Sequence, residues 1–216
     1  MGRRDFIWYS LLATAVPAGW GTALLFGMSK GSDAVAARPF EVVAREGDLA
    51  FGNPGAAAAI LACVSLTCPH CRAWEEGEMP ALLAGPVASG KARLVLRDFP
   101  LDAAALAGAG VVRCLPEARK AAAHFSLMRS SERWAASGAR GAADMLAALM
   151  PDAAPDPATL AARAMSRAVQ DDVLASSLDA TARYGIRATP TFVAGRHVRS
   201  GGIPAATLEA WLAPGA

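Results

Sequence analysis

Cys68-Pro69-His70-Cys71 follows an apolar run, Ala56 to Leu66, and precedes a helix-like run that begins at Arg72. An unbroken apolar run of that length reads as a strand buried on both faces at the centre of a sheet. Pro69 suits the first position of a helix, where its missing N–H costs nothing. A strand that hands over to a helix places Cys68 at the helix N-terminus. Free N–H groups and the partial positive charge there favour a negative sulfur. Two cysteines three apart in that setting read as a dithiol/disulfide redox centre, with the redox disulfide between Cys68 and Cys71.

The whole chain is consistent with that centre. Its 216 residues suit one domain, or one domain with an insertion. Formal net charge is only +2, and no basic stripe is present, so nucleic-acid binding has no electrostatic support. The four cysteines, Cys63, Cys68, Cys71 and Cys114, are too few for a disulfide-stapled scaffold of this length. A structural zinc site needs about four ligands. No second C-x-x-C or paired histidine follows the first, so no metal is expected.

Residues 1–36 read as an export segment. Arg3-Arg4-Asp5-Phe6-Ile7 is similar to a twin-arginine core, with Gly2 where Ser or Thr is usual. An uncharged stretch follows from Phe6 to Ser29, and Ala34-Val35-Ala36 offers a small-x-small cleavage site. The alternative is an uncleaved anchor over residues 6–29, long enough to span a bilayer. Pro17, Gly19, Gly21 and Gly27 weaken its hydrophobicity and favour a cleaved signal. Both readings put residues 38–216 outside the cytoplasm, where disulfides persist.

Beyond the export segment, Pro39–Val43 is expected as an edge strand and Leu94-Val95-Leu96 as a second buried strand. From about 102 to 184 the texture becomes Ala-rich and helical. Pro116 and Pro157 stand in first turns, and Gly138, Gly141 and the Pro151–Pro157 cluster mark breaks. Val173, Leu174, Leu178 and Tyr184 are expected to line the last of these helices. Thr191-Phe192-Val193 and His197-Val198-Arg199 form a hairpin around Ala194-Gly195-Arg196. Pro204 opens a final helix carrying Leu208, Trp211 and Leu212.

This order, with Ser65-Leu66-Thr67-Cys68-Pro69-His70-Cys71, Arg97-Asp98-Phe99-Pro100-Leu101 and Thr189-Pro190-Thr191-Phe192, resembles the DsbA-like branch of the thioredoxin fold. The resemblance implies an α/β thioredoxin-like fold with an all-helical insertion. It implies Cys68 as nucleophile, Cys71 as resolving thiol, Pro69 and His70 in support, and Pro190 as a cis proline presenting Thr189 to an extended substrate. It further implies a monomeric periplasmic oxidant of exported proteins, without cofactor, reoxidised by a quinone-linked membrane thiol oxidase of the DsbB type. A reductase or isomerase of the same fold, or a non-catalytic peptide-binding chaperone module, are the rival readings. The lack of a separate dimerisation domain argues against an isomerase.

One departure stands out. Relatives of this fold often hold a buried acid six residues before the first cysteine, and here that residue is Ala62. Glu75, Glu76 and Glu78 read as a solvated helix face. His124 is expected on an insertion helix, His197 in the hairpin, and Trp74 and Trp134 in the core, with the rim of a peptide groove as the alternative. Cys63 and Cys114 read as unpaired thiols, with a bridge between them as the alternative.

Overall fold

The apolar run before the cysteines forms the middle of the sheet. Ala58–Val64 makes strand β3, buried from Ile60 onward. Strand β4 (Ala92–Asp98) lies parallel to it on one side, and β5 (Thr191–Ala194) antiparallel on the other. The computed structural model describes residues 34–36, 38–151 and 155–213. It extends the sheet with β2 (Leu49–Phe51) beside β4, and with β6 (His197–Ser200) and β1 (Ala34–Val35) beyond β5. The strand order is β1-β6-β5-β3-β4-β2. Successive side chains point to opposite faces of a strand. Ile60, Ala62 and Val64 therefore join one core layer, and Leu61 and Cys63 the other.

Helix α1 (Pro69–Gly77) follows β3 with Pro69 in its first turn. The chain then restarts as α2 (Met79–Leu82), with Pro80 in its first turn, and passes through a π-helical turn, Leu83–Val87. Between β4 and β5 the chain is helical: α3 (Ala103–Arg113), α4 (Glu117–Arg129), the single turn α5 (Ser131–Trp134), α6 (Gly138–Leu149), α7 (Pro157–Ala164) and α8 (Arg167–Tyr184). Asp102 caps α3 by accepting the Ala105 N–H at 2.7 Å, and Asp156 caps α7 through the Thr159 N–H at 2.9 Å. A short helix α9 (Ala205–Ala210) closes the described chain, its Leu208 buried. The fold is thus α/β and thioredoxin-like, with an all-helical insertion. The export segment lies outside the described residues except for positions 34–36.

Three expectations need correcting. Pro39–Val43 is not a strand. Its carbonyls go to side chains instead: Tyr184 Oη donates to Glu41 O, Arg93 to Val42 O and Arg97 to Val43 O, at 2.8, 2.9 and 2.8 Å. Gly141 does not break a helix but lies inside α6. A Cβ there would stand 2.5 Å from the Trp134 carbonyl oxygen, so glycine permits the close approach. On α8, Val173 and Tyr184 are buried, but Leu174 and Leu178 are exposed. That helix buries Ser176, Ser177 and Ala180 instead, because small residues let it pack close to the sheet.

The second core layer surrounds a guanidinium. Arg97 is fully buried; it contacts Asp48 at 2.8 Å, Asp179 at 3.0 Å and the Val43 carbonyl at 2.8 Å. It fastens β4 to the loop before β2 and to α8. Removing one partner of a buried ion pair strands the other charge, at a cost of about 3–5 kcal/mol. Arg97→Met is therefore expected to lower unfolding stability by about that amount, measured by urea denaturation. Arg97→Met with Asp48→Asn is expected to recover part of the loss.

Candidate active site

Three segments meet at the thiols. Cys68 is the N-cap of α1, with φ −83° and ψ 116°, and its N–H is held by Ser65 O at 3.0 Å. Cys71 lies one turn inside, fully buried, and accepts the Ser65 N–H at 3.5 Å. The third segment precedes β5, where the Thr189–Pro190 peptide bond is cis. In its protonated form the Cys68 thiol donates to the Thr189 carbonyl at 3.5 Å, and the Thr189 hydroxyl is buried beside the sulfurs. Pairing of Cys63 with Thr191 in the sheet sets these segments opposite each other.

The two sulfurs differ sharply in acidity. Cys68 is lowered to about 5, first by a hydrogen bond from Cys71, then by the Thr189 side chain and the N–H groups of Cys71 and His70; its partial burial opposes them. Cys71 is pushed far up by its hydrogen bond to Cys68 and by burial, with the Ser65 N–H acting against both. One sulfur is a thiolate at neutral pH and the other a thiol.

A family profile described as Thioredoxin matches residues 44–213. The chain belongs to this thioredoxin family. Solved structures agree in fold. A protein-disulfide isomerase from Novosphingobium aromaticivorans is 25% identical with a TM-score of 0.64, covering 76% of this chain and 95% of its own. Alpha-DsbA1 of Wolbachia pipientis is 19% identical, with a TM-score of 0.67 and coverages of 79% and 92%. Oxidised BdbD of Bacillus subtilis is 18% identical, with a TM-score of 0.63 and coverages of 84% and 99%. No curated protein matches significantly in sequence. Family and fold make this a thiol:disulfide oxidoreductase of DsbA-like architecture.

Within this thioredoxin-family site, the structure brings Cys68, Pro69, His70, Cys71, Thr189 and Pro190 together. Pro69 and His70 are exposed beside Cys68. A cleft of about 210 Å³ runs from His70 and Trp74 to Gly202, Ile203 and Pro204. Trp74 donates to Ile203 O at 3.0 Å, and Glu78 accepts the Ala205 N–H at 2.8 Å, so they tie α1 and its extension to the loop before α9 and to the first residue of α9. A larger cleft, about 530 Å³, lies around Phe40, Ala58 and Trp211 at the opposite end of β3 and takes no part in the thiol site.

Several contributors were not legible as such in the sequence. The Thr67 hydroxyl donates to Asp102 at 2.6 Å, so the residue before Cys68 is anchored to the cap of α3. Ser65 accepts the Leu101 N–H at 3.4 Å, which leaves Leu101 exposed beside the site. The glutamates following the motif are not one solvated face: Glu76 is exposed, Glu78 is half-buried and Glu75 is buried against His124. Helical spacing alone places Glu75 on the face of Cys71, and that signal was available. Ala62 is fully buried, as is Cys63, whose thiol burial pushes well above its ordinary range. Cys63 and Cys114 pack in different core layers on opposite faces of the sheet, which rules out a bridge between them.

A depressed thiol pKa stabilises the folded reduced protein at pH values above the ordinary thiol value of 9.0; that stability is lost as pH falls through about 5. Thiolate absorbance of the reduced protein is expected to titrate with a midpoint near about 5. Cys71→Ala is expected to move that midpoint upward, because it removes the leading hydrogen bond. Thr189→Val is expected to move it in the same direction by a smaller amount.

Proposed function

We propose that this protein is a dithiol oxidase of exported proteins. The acidity difference between Cys68 and Cys71 carries the reading. Stabilising the Cys68 thiolate stabilises the dithiol form, so the disulfide form gives up its bond readily to another thiol. In this reading a substrate thiolate attacks Cys68 of the Cys68–Cys71 disulfide and Cys71 departs. A second substrate thiolate then attacks the substrate sulfur of the mixed disulfide, closes the substrate disulfide and releases Cys68 as a thiolate. Thr189 and Pro190 face Cys68, where the backbone of an extended substrate would lie. His70 adds a donor near the departing sulfur. The two sulfurs carry the electrons, so no cofactor is needed. A quinone-linked membrane thiol oxidase of the DsbB type would restore the disulfide, with the protein acting as a monomer in the periplasm.

A solved neighbour named protein-disulfide isomerase keeps isomerisation as a second reading. Two assays separate them. The oxidised protein is expected to oxidise a reduced, denatured secreted protein with several native disulfides, and to do little for a scrambled one. Cys68→Ser is expected to abolish the oxidation. Full activity in Cys68→Ser, or faster rescue of the scrambled substrate than of the reduced one, would refute the oxidase reading.

The edge of the sheet bears on processing. Ala34–Val35 pairs with β6, and Ala36 exchanges two 2.7 Å hydrogen bonds with Arg196. Cleavage after Ala36 would remove that strand, so these contacts support a retained anchor or a cleavage upstream of Ala34. Among the described residues, no helix is long and apolar enough to cross a membrane. Intact-mass measurement of the exported protein is expected to include residue 34; a chain beginning at Ala37 would contradict this.

A further inference from the structure

Cys71 has to gain and lose a proton in a place water does not reach. Its residue is fully buried, and its sulfur is packed against the Ser65 N–H. Yet in the proposed reaction it departs as a thiolate, and on reoxidation it must become one again.

Glu75 stands four residues along α1 from Cys71, on the same buried face. Residues at that spacing have Cβ atoms about 5–6 Å apart. Its carboxylate lies 2.9 Å from His124 Nε2 of α4, with side-chain exposures of 4% and 2%. A buried ion pair is seldom more stable than apolar packing of the same volume, so one placed on the helix that carries both thiols points to function. A cleft of about 240 Å³ between α1 and α4, lined by Arg72, Glu75, Glu76 and Arg129, reaches Glu75 from the surface. Asp98 of β4 also acts on His124, with Arg113 of α3 behind it at 3.4 Å. Burial alone would drive His124 toward its neutral form, but Glu75 and Asp98 override it and raise its pKa.

We propose that the buried Glu75–His124 pair is the proton store for Cys71. The inference rests on the reading of Cys68 and Cys71 as a redox pair. On reduction, a substrate thiolate bonds to Cys68 Sγ, the Cys68–Cys71 bond breaks and its electron pair goes to Cys71 Sγ. That sulfur takes a proton from the pair, which regains one through the cleft. On reoxidation by a disulfide, the Cys68 thiolate bonds to one sulfur and releases the other as a thiolate. Cys71 then passes its proton to the pair, which releases one through the cleft, and Cys71 bonds to Cys68 Sγ and displaces the second thiolate. His124 is the positioning residue: its ring holds the Glu75 carboxylate at 2.9 Å on the buried face of α1.

The test is stopped-flow reoxidation of the reduced protein by oxidised glutathione, quenched in acid and read by mass spectrometry. Attack by Cys68 forms a glutathione mixed disulfide, and attack by Cys71 resolves it. Glu75→Gln is expected to slow resolution roughly a hundredfold, the scale of a lost acid–base group. The slowed step is expected to rise with pH between about pH 6 and pH 9, as solvent takes over the proton. The Cys68 titration is expected to stay near about 5. Glu75→Gln combined with His124→Gln removes both charges together and is expected to show the same slow step. Resolution at the wild-type rate with the wild-type pH profile, in either variant, would overturn the proposal. The wild type gives an independent reading by NMR. The His124 ring is expected to titrate at different pH in the reduced and oxidised proteins, and identical titrations would equally overturn it. A wild type that forms no mixed disulfide at all would instead remove the redox reading beneath it.

Discussion

Everything at the thiol site depends on the antiparallel pairing of β3 with β5. The Cys63↔Thr191 register puts the Thr189 carbonyl 3.5 Å from Cys68 Sγ, across 121 residues of sequence. A slip of one residue in such a ladder turns every side chain to the other face and shifts the facing loop with it. Because β3 is buried on both sides and bonded on both edges, the register has little freedom. The helical insertion enters after β4 and leaves before β5, so it never interrupts the pairing.

Charge in the interior is handled in two ways. Arg97 satisfies the carboxylates of Asp48 and Asp179 and the Val43 carbonyl, and its role is architectural: it closes the sheet face opposite α1. The Glu75–His124 contact lies on the other face, on the helix of the thiols, and it joins that helix to the insertion. The hydrogen bond between the two sulfurs lowers Cys68 and raises Cys71; the N–H groups of the helix start add to the first shift and burial to the second, so one turn of helix separates a thiolate from a thiol. The insertion therefore supplies a wall of the site as well as bulk.

Much of this was legible in the chain. Cys68-Pro69-His70-Cys71 after an apolar run marked the strand-to-helix junction, and the resemblance to DsbA-like chains implied Thr189-Pro190 as the facing loop. Pro116 and Asp156-Pro157 marked helix starts because the chemistry of a helix's first turn is local. The readings that missed were those settled by distant partners. Pro39–Val43 has strand-like composition, but Tyr184, Arg93 and Arg97 take its carbonyls. Leu174 and Leu178 have the apolar character of a core face, yet α8 turns its small residues inward. The spacing of Glu75 from Cys71 turns it to the buried face of α1, but nothing local announces the histidine 49 residues away that it meets there.

What the sequence determined by itself was local: which segments are strands and helices, where the helix carrying the thiols begins, and hence which sulfur sits at its N-terminus. Backbone propensity, capping and apolar periodicity act over a few residues and are written there. The tertiary structure alone decided which groups face those sulfurs: the Thr189 carbonyl and buried hydroxyl beside Cys68, the Ser65 N–H against Cys71, and Glu75 with His124 on the buried face of α1. The reason is that acidity and proton movement depend on burial and charge at distances of a few ångströms, and those neighbours are brought together only when the sheet closes and the insertion packs against it.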